Sequence, residues 1–255
     1  GRASVLRPPG WVHVWSLEGP SRVAEVERVD VRALRVAPGG RRLLVRRQAA
    51  QGPLLEVRST DDGAVRHHFG REGAPPRVVG GRGLGGGRRD GGMGPNGRFG
   101  LAVTEEGHDL LDVSEGRRVP VDSGTVVNQF YGFSPDGAAL ALASLSWGQG
   151  AEKGASLPVY ETATGRVLYR LTPPDTLTDP ALERTVSVAF SPRGGRLVSI
   201  ALTADERALP VLWRVENGAR PDVAATLPPV QGGLRMEYGP NGRYVFATEI
   251  EGTAV

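Results

Sequence analysis

Four histidines, His13, His67, His68 and His108, are the only imidazoles in 255 residues, and cysteine is absent. The missing thiols exclude disulfide staples, thiolate zinc sites and thiol nucleophiles together, and leave the redox compartment open. His67 and His68 are adjacent in a segment that reads as a strand, so their side chains point to opposite faces and cannot chelate one ion. His108 stands beside Glu105, Glu106 and Asp109, which are ligand types without zinc-like spacing. A literal G-x-G-x-x-G runs from Gly81 to Gly86 within the glycine- and arginine-rich segment Gly80 to Arg89. A phosphate cradle needs a helix N-terminus behind such a loop, and no β-α unit flanks this one, so it reads as a flexible connection. No G-x-S-x-G occurs, and Ser134-Pro135 and Ser191-Pro192 read as turn residues rather than nucleophiles. The acids are spread along the chain without a paired general acid and base. No catalytic residue, metal or cofactor is implied.

The elements that would position any site must therefore carry the reading. With 39% hydrophobic residues the chain has enough material for a substantial core in one or two domains. No run of about eighteen apolar residues occurs, so the expectation is a soluble domain. The opening Gly1-Arg2-Ala3-Ser4 has neither Met nor a signal-peptide apolar region, which leads to the expectation of a segment cut from a longer protein. The 31 basic residues face 28 acidic ones for a net charge of +3, and Lys153 is the only lysine. That arginine bias fits a GC-rich genome, and the mixed totals argue against a nucleic-acid footprint.

The strongest signal is internal repetition, whose period of about 40 to 50 residues belongs to propellers and solenoids. One phrase recurs at Val36-Ala37-Pro38-Gly39-Gly40-Arg41, Gly94-Pro95-Asn96-Gly97-Arg98, Phe133-Ser134-Pro135-Asp136-Gly137, Phe190-Ser191-Pro192-Arg193-Gly194 and Tyr238-Gly239-Pro240-Asn241-Gly242-Arg243. Proline presets φ, Asp or Asn bonds the neighbouring backbone, and glycine accepts positive φ, so each phrase predicts a hairpin turn. Short apolar runs follow: Leu43 to Val45, Phe99 to Val103, Leu140 to Ala143, Leu197 to Leu202 and Tyr244 to Ala247. Continuous rather than alternating apolarity predicts inner strands covered on both faces.

A second phrase lies in phase downstream, at Val12 to Gly19, Leu55 to Arg58 with Asp61-Asp62-Gly63, Leu110 to Gly116, Pro158 to Gly165 and Val211 to Gly218. Two hairpins per period make a four-stranded antiparallel sheet, with strands a and b flanking the proline turn and c and d flanking the second glycine. These residues resemble the WD40 repeat family in its degenerate bacterial form, over nearly the whole chain. The family's Trp-Asp dipeptide appears as Trp15-Ser16, Tyr160-Glu161 and Trp213-Arg214, and its Gly-His pair is missing from the usual place in the blades. The resemblance implies an all-β propeller of four-stranded antiparallel blades and a Trp at strand c packed between blades.

About five blades are represented: strands c and d over 11–28, blades over about 30–70, 87–122, 126–172 and 185–228, and strands a and b from 233 to 255. Incomplete blades at both ends lead to the expectation of a fragment of a larger ring of roughly six to eight blades, over closure as a five-bladed ring. The turn prolines stand at Pro38, Pro95, Pro135, Pro192 and Pro240, giving intervals of 57, 40, 57 and 48. The extra length reads as insertions at 72–90, 146–155 and 173–183, and long loops on a rigid scaffold are where binding resides.

The functional expectation is a non-catalytic protein-interaction scaffold that binds a protein or peptide through loops on the propeller face. Trp147 and Gln149, in the insertion Ser146 to Gly150, form the candidate anchor. Charge divides between the ends of the blades: Arg41, Arg42, Arg98, Arg193, Arg196 and Arg243 fall at a-b turns, and Glu105, Glu106, Glu152, Asp205, Glu206, Glu249 and Glu251 at b-c connections, with Arg46 and Arg47 breaking the pattern. An acidic rim of Glu105, Glu106, Asp205, Glu206 and Glu249 would steer a basic partner to that side. The alternative is a propeller enzyme of lactonase or glycosidase type with a site at the channel mouth.

Overall fold

The computed structural model describes residues 11–15, 22–27, 31–49, 52–69, 92–104, 107–121, 130–143, 157–172, 182–203, 207–216, 221–228, 230–231 and 234–249. The chain divides into two compact units, one of residues 1–78 with 113–117 and one of 79–112 with 118–255. Every described element is a strand or a turn.

In the first unit, β1 (Trp11–Trp15) pairs antiparallel with β2 (Arg22–Glu27). A four-stranded sheet follows, with β3 (Val31–Val36), β4 (Arg42–Ala49), β5 (Gly52–Ser59) and β6 (Val65–Phe69) in sequence order. Leu43, Val45, Val57 and Phe69 are among its buried apolar residues. The 113–117 turn lies against β6, where a Cβ on Gly116 would overlap the His67 imidazole.

The second unit repeats this sheet. One copy comprises β7 (Gly92–Met93), β8 (Phe99–Thr104), β9 (Gly107–Asp112) and β10 (Arg117–Val119); the next comprises β11 (Phe130–Phe133), β12 (Ala139–Ala143), β13 (Leu157–Glu161) and β14 (Val167–Leu171). A third comprises β15 (Leu182–Phe190), β16 (Arg196–Thr203), β17 (Arg207–Arg214) and β18 (Asp222–Thr226), and β19 (Val230–Gln231) also pairs with β17. A last hairpin joins β20 (Leu234–Tyr238) to β21 (Val245–Glu249). β15 starts ahead of the blade limit at 185 and takes in Leu182 and Glu183 from the segment read as an insertion, because the ladder reaches back to pair Leu182 with Thr203.

All five proline turns close identically. The residue before the proline accepts from the N–H of the glycine three positions on: Ala37 from Gly40, Gly94 from Gly97, Ser134 from Gly137, Ser191 from Gly194 and Gly239 from Gly242, at 2.8 to 3.0 Å. That glycine has φ between 66 and 73° in every copy, a conformation that other residues adopt only with strain. Where the turn carries Asn or Asp, its Oδ1 accepts from the N–H two residues on: Arg98 to Asn96, Ala138 to Asp136 and Arg243 to Asn241, each at 3.0 Å. A threonine after strand c then ties the second turn to the first, Thr60 Oγ1 donating to the Gly40 carbonyl and Thr162 Oγ1 to the Gly137 carbonyl, both at 2.8 Å. Both hairpin turns therefore lie at one end of the sheet.

The continuous apolar runs serve two cores at once. Leu140 and Leu142 of β12 pack with Phe99, Leu101 and Leu110 of the preceding sheet, whereas Ala141 and Ala143 pack with Leu197, Val211 and Trp213 of the following one. In β16, Leu197 points back while Val198 and Ile200 join Met236 of the last hairpin. Alternate residues of a strand face opposite sides, so a strand buried between neighbouring sheets needs apolar residues at every position.

Candidate functional site

Most residues named for partner binding, namely Glu105, Glu106, Trp147, Gln149, Asp205 and Glu206, lie outside the described residues. Glu249 does not belong to a b-c connection: it is the last residue of β21, directly opposite Leu234, because the ladder of the last hairpin continues two residues past the apolar run. Arg46 and Arg47 are likewise strand residues, opposite Leu55 and Leu54 on β5, so they do not interrupt a connection's charge pattern.

His67 and His68 alternate along β6 as half-buried and exposed, and face opposite sides of the sheet. His13 is exposed on β1. His108 lies on β9 opposite Val103. Among the described residues no group of three or more His, Cys, Asp or Glu side chains converges.

The buried carboxylates are held by arginine. Glu56 on β5 lies between Arg58 Nε at 2.8 Å and Arg47 Nε at 3.1 Å, and its side chain is 8% exposed. Burial opposes its charge, yet the hydrogen bonds and charges of Arg58 and Arg47 together hold the carboxyl below its usual range. Asp112, fully buried at the end of β9, accepts from Arg98 Nη2 at 3.0 Å, and the Arg98 guanidinium lies 4.9 Å over the Phe99 ring. Asp136 is also held low, by the Ser134 hydroxyl at 2.5 Å and the Ala138 N–H. Each of these carboxyls accepts a hydrogen bond from a specific donor.

In the sheet β15 to β18, the buried indole of Trp213 donates from Nε1 to Ser199 Oγ at 2.8 Å. The hydroxyl of Tyr238, on β20, is buried without a hydrogen-bond partner among the described residues, and burial raises its pKa. Sequence reasoning passed over Ser199 and Tyr238. Their roles depend on cross-strand register, which appears only when both hairpins of a period are aligned.

The fold is that of a β-propeller. Among solved structures, the chain is similar to the β-propeller domain of Myceliophteria thermophila Cps50 (Swd1), with a TM-score of 0.53 and 12% identity over 88% of this chain and 64% of that one. It is also similar to hydrazine synthase of Kuenenia stuttgartiensis, with a TM-score of 0.52 and 17% identity over 93% of this chain and 67% of that one. The chain thus spans about two thirds of the length of each. No protein-family model matches the sequence, and no curated protein matches it. Among the described residues no helix is long and apolar enough to cross a membrane.

Proposed function

We propose that this chain is a non-catalytic interaction scaffold of the WD40-like kind, which binds a protein or peptide through the connections at the end of its blades opposite the proline turns. The observation that supports this reading is the use made of its carboxylates, two of them buried and one, Asp136, exposed. Glu56, Asp112 and Asp136 are each committed to an arginine or to turn donors, and the carboxyls of Glu56 and Asp136 are pushed down. A general acid needs its pKa raised toward neutrality, so these carboxylates stiffen the sheets instead of reacting. Stiff sheets with their turns tied together make a platform on which loops can specialise. The likeness to hydrazine synthase extends to the fold and brings no reacting group with it.

Two measurements test the reading. A panel of lactones and glycosides incubated with the protein should give no turnover above buffer; turnover would overturn the scaffold in favour of the enzyme. A fluorescent oligolysine peptide, as the basic probe, should associate more slowly with the D205N/E206Q/E249Q variant than with wild type at low salt. Equal association rates would remove the acidic rim from the proposal.

A further inference from the structure

The edge of the second unit that carries the proline turns gathers positive charge at one joint. Register on β16 and β17 places Arg196 directly opposite Arg214, and like charges so placed are destabilising. Arg214 has a carboxylate neighbour in Asp222, but the contact is long, 3.5 Å, with both side chains more than half exposed. The next turn comes close: a Cβ on Gly242 would meet Ser191 Oγ at 3.1 Å and Arg193 Cγ at 3.5 Å. Arg193 and the following Arg243 are both exposed. The Arg196 charge also acts on Tyr238, whose buried hydroxyl lacks a partner among the described residues. Four exposed guanidinium groups therefore lie at two touching turns and at the neighbouring ends of β16 and β17.

We propose that the exposed Arg193, Arg196, Arg214 and Arg243 form a docking surface for a carboxylate-rich segment of a protein partner. A carboxylate accepts two parallel bonds from a guanidinium fork, so it would relieve the repulsion of the arginine pair. The surroundings favour a short acidic segment over nucleic acid. Exposed Asp136, Glu216 and Asp222 belong to neighbouring turns and strand starts, and they interrupt the continuous cationic track that a phosphodiester chain needs. The surface rests on the scaffold reading and gives it a partner chemistry at the end of the blades opposite the acidic rim.

The test is titration of the whole chain with a fluorescent octaglutamate peptide, with an eight-nucleotide single-stranded DNA and octalysine as comparisons. Octaglutamate should bind in a salt-dependent way, R196Q/R243Q should weaken it by about tenfold, and R196K/R243K should retain most of the affinity. Equal affinity for wild type and R196Q/R243Q, or no octaglutamate binding at low salt, would overturn the proposal, and tighter binding of the DNA would replace the partner class. None of these outcomes is a turnover measurement, so loss of the docking surface is distinguishable from loss of the scaffold reading.

Discussion

The indole of Trp213 and the hydroxyl of Ser199 form a buried hydrogen bond of 2.8 Å between β17 and β16, with Ser199 two residues along β16 from Leu197, the residue directly paired with Trp213. Resemblance to WD40 blades implied a packed tryptophan at this strand position, and the bond fixes the ring's orientation as well as its burial. S199A leaves the indole N–H unsatisfied and should cost about 1–3 kcal/mol in urea unfolding. W213F/S199A should cost less than the sum of the two single variants, and strict additivity would show that the bond carries no coupling.

Asp112 is completely buried and Arg98 is about half exposed, so the pair is asymmetric. Removing the arginine takes a charge partner from a carboxylate in the core, whereas removing the carboxylate frees a cation that water already reaches. R98Q should therefore destabilise by about 1–3 kcal/mol, and D112N/R98Q should recover part of that loss. Thermal melts of the two variants decide it; a double variant less stable than R98Q would contradict the asymmetry.

Glu56 gives the fold a dependence on acid. Its carboxyl is held below the ordinary value of 4.5, so the stability it contributes is fully present above that value and is lost as pH falls through the lower folded value. Wild type should lose stability across that acid window, and E56Q should show a shallower decline there while being less stable at neutral pH. Parallel slopes for the two proteins would assign the acid sensitivity to other groups.

Two glycines separate conformational strain from crowding. Gly137 and Gly195 have φ of 71° and 67°, but a Cβ on Gly137 would strike the Asn96 side amide, while one on Gly195 would meet nothing within 4 Å. G195A should cost about 1 kcal/mol from the backbone alone. G137A should cost more, about 2–3 kcal/mol, and should also break the bond from Asn96 Nδ2 to the Asp136 carbonyl. Equal losses would mean that Asn96 moves aside freely.

The turns and inner strands were legible because their causes are local. Proline, Asx and glycine at fixed offsets in Ser134-Pro135-Asp136-Gly137 determine that turn's hydrogen bonds, and Leu140 to Ala143 announce a strand covered on both faces. Strand ends were harder to read. Thr248 and Glu249, like Arg46 and Arg47, have polar side chains that suit a connection, yet their backbones continue a ladder whose partner strand is long enough to hold them. The arginine and tyrosine joint was less legible still. Arg196 and Arg214 lie far apart in sequence and meet only through the register of β16 on β17, and Tyr238 arrives from another hairpin.

Because Leu140 and Ala141 belong to different cores, adding or deleting one residue within β12 would exchange its two faces and spoil both joints at once. The same change in a connection between strands would disturb neither. Strands are thus closed to changes in length while connections remain open to them, and the unequal intervals between Pro38, Pro95, Pro135, Pro192 and Pro240 are the trace such a constraint leaves. Diversification of this protein is channelled by its packing into the segments that join its strands.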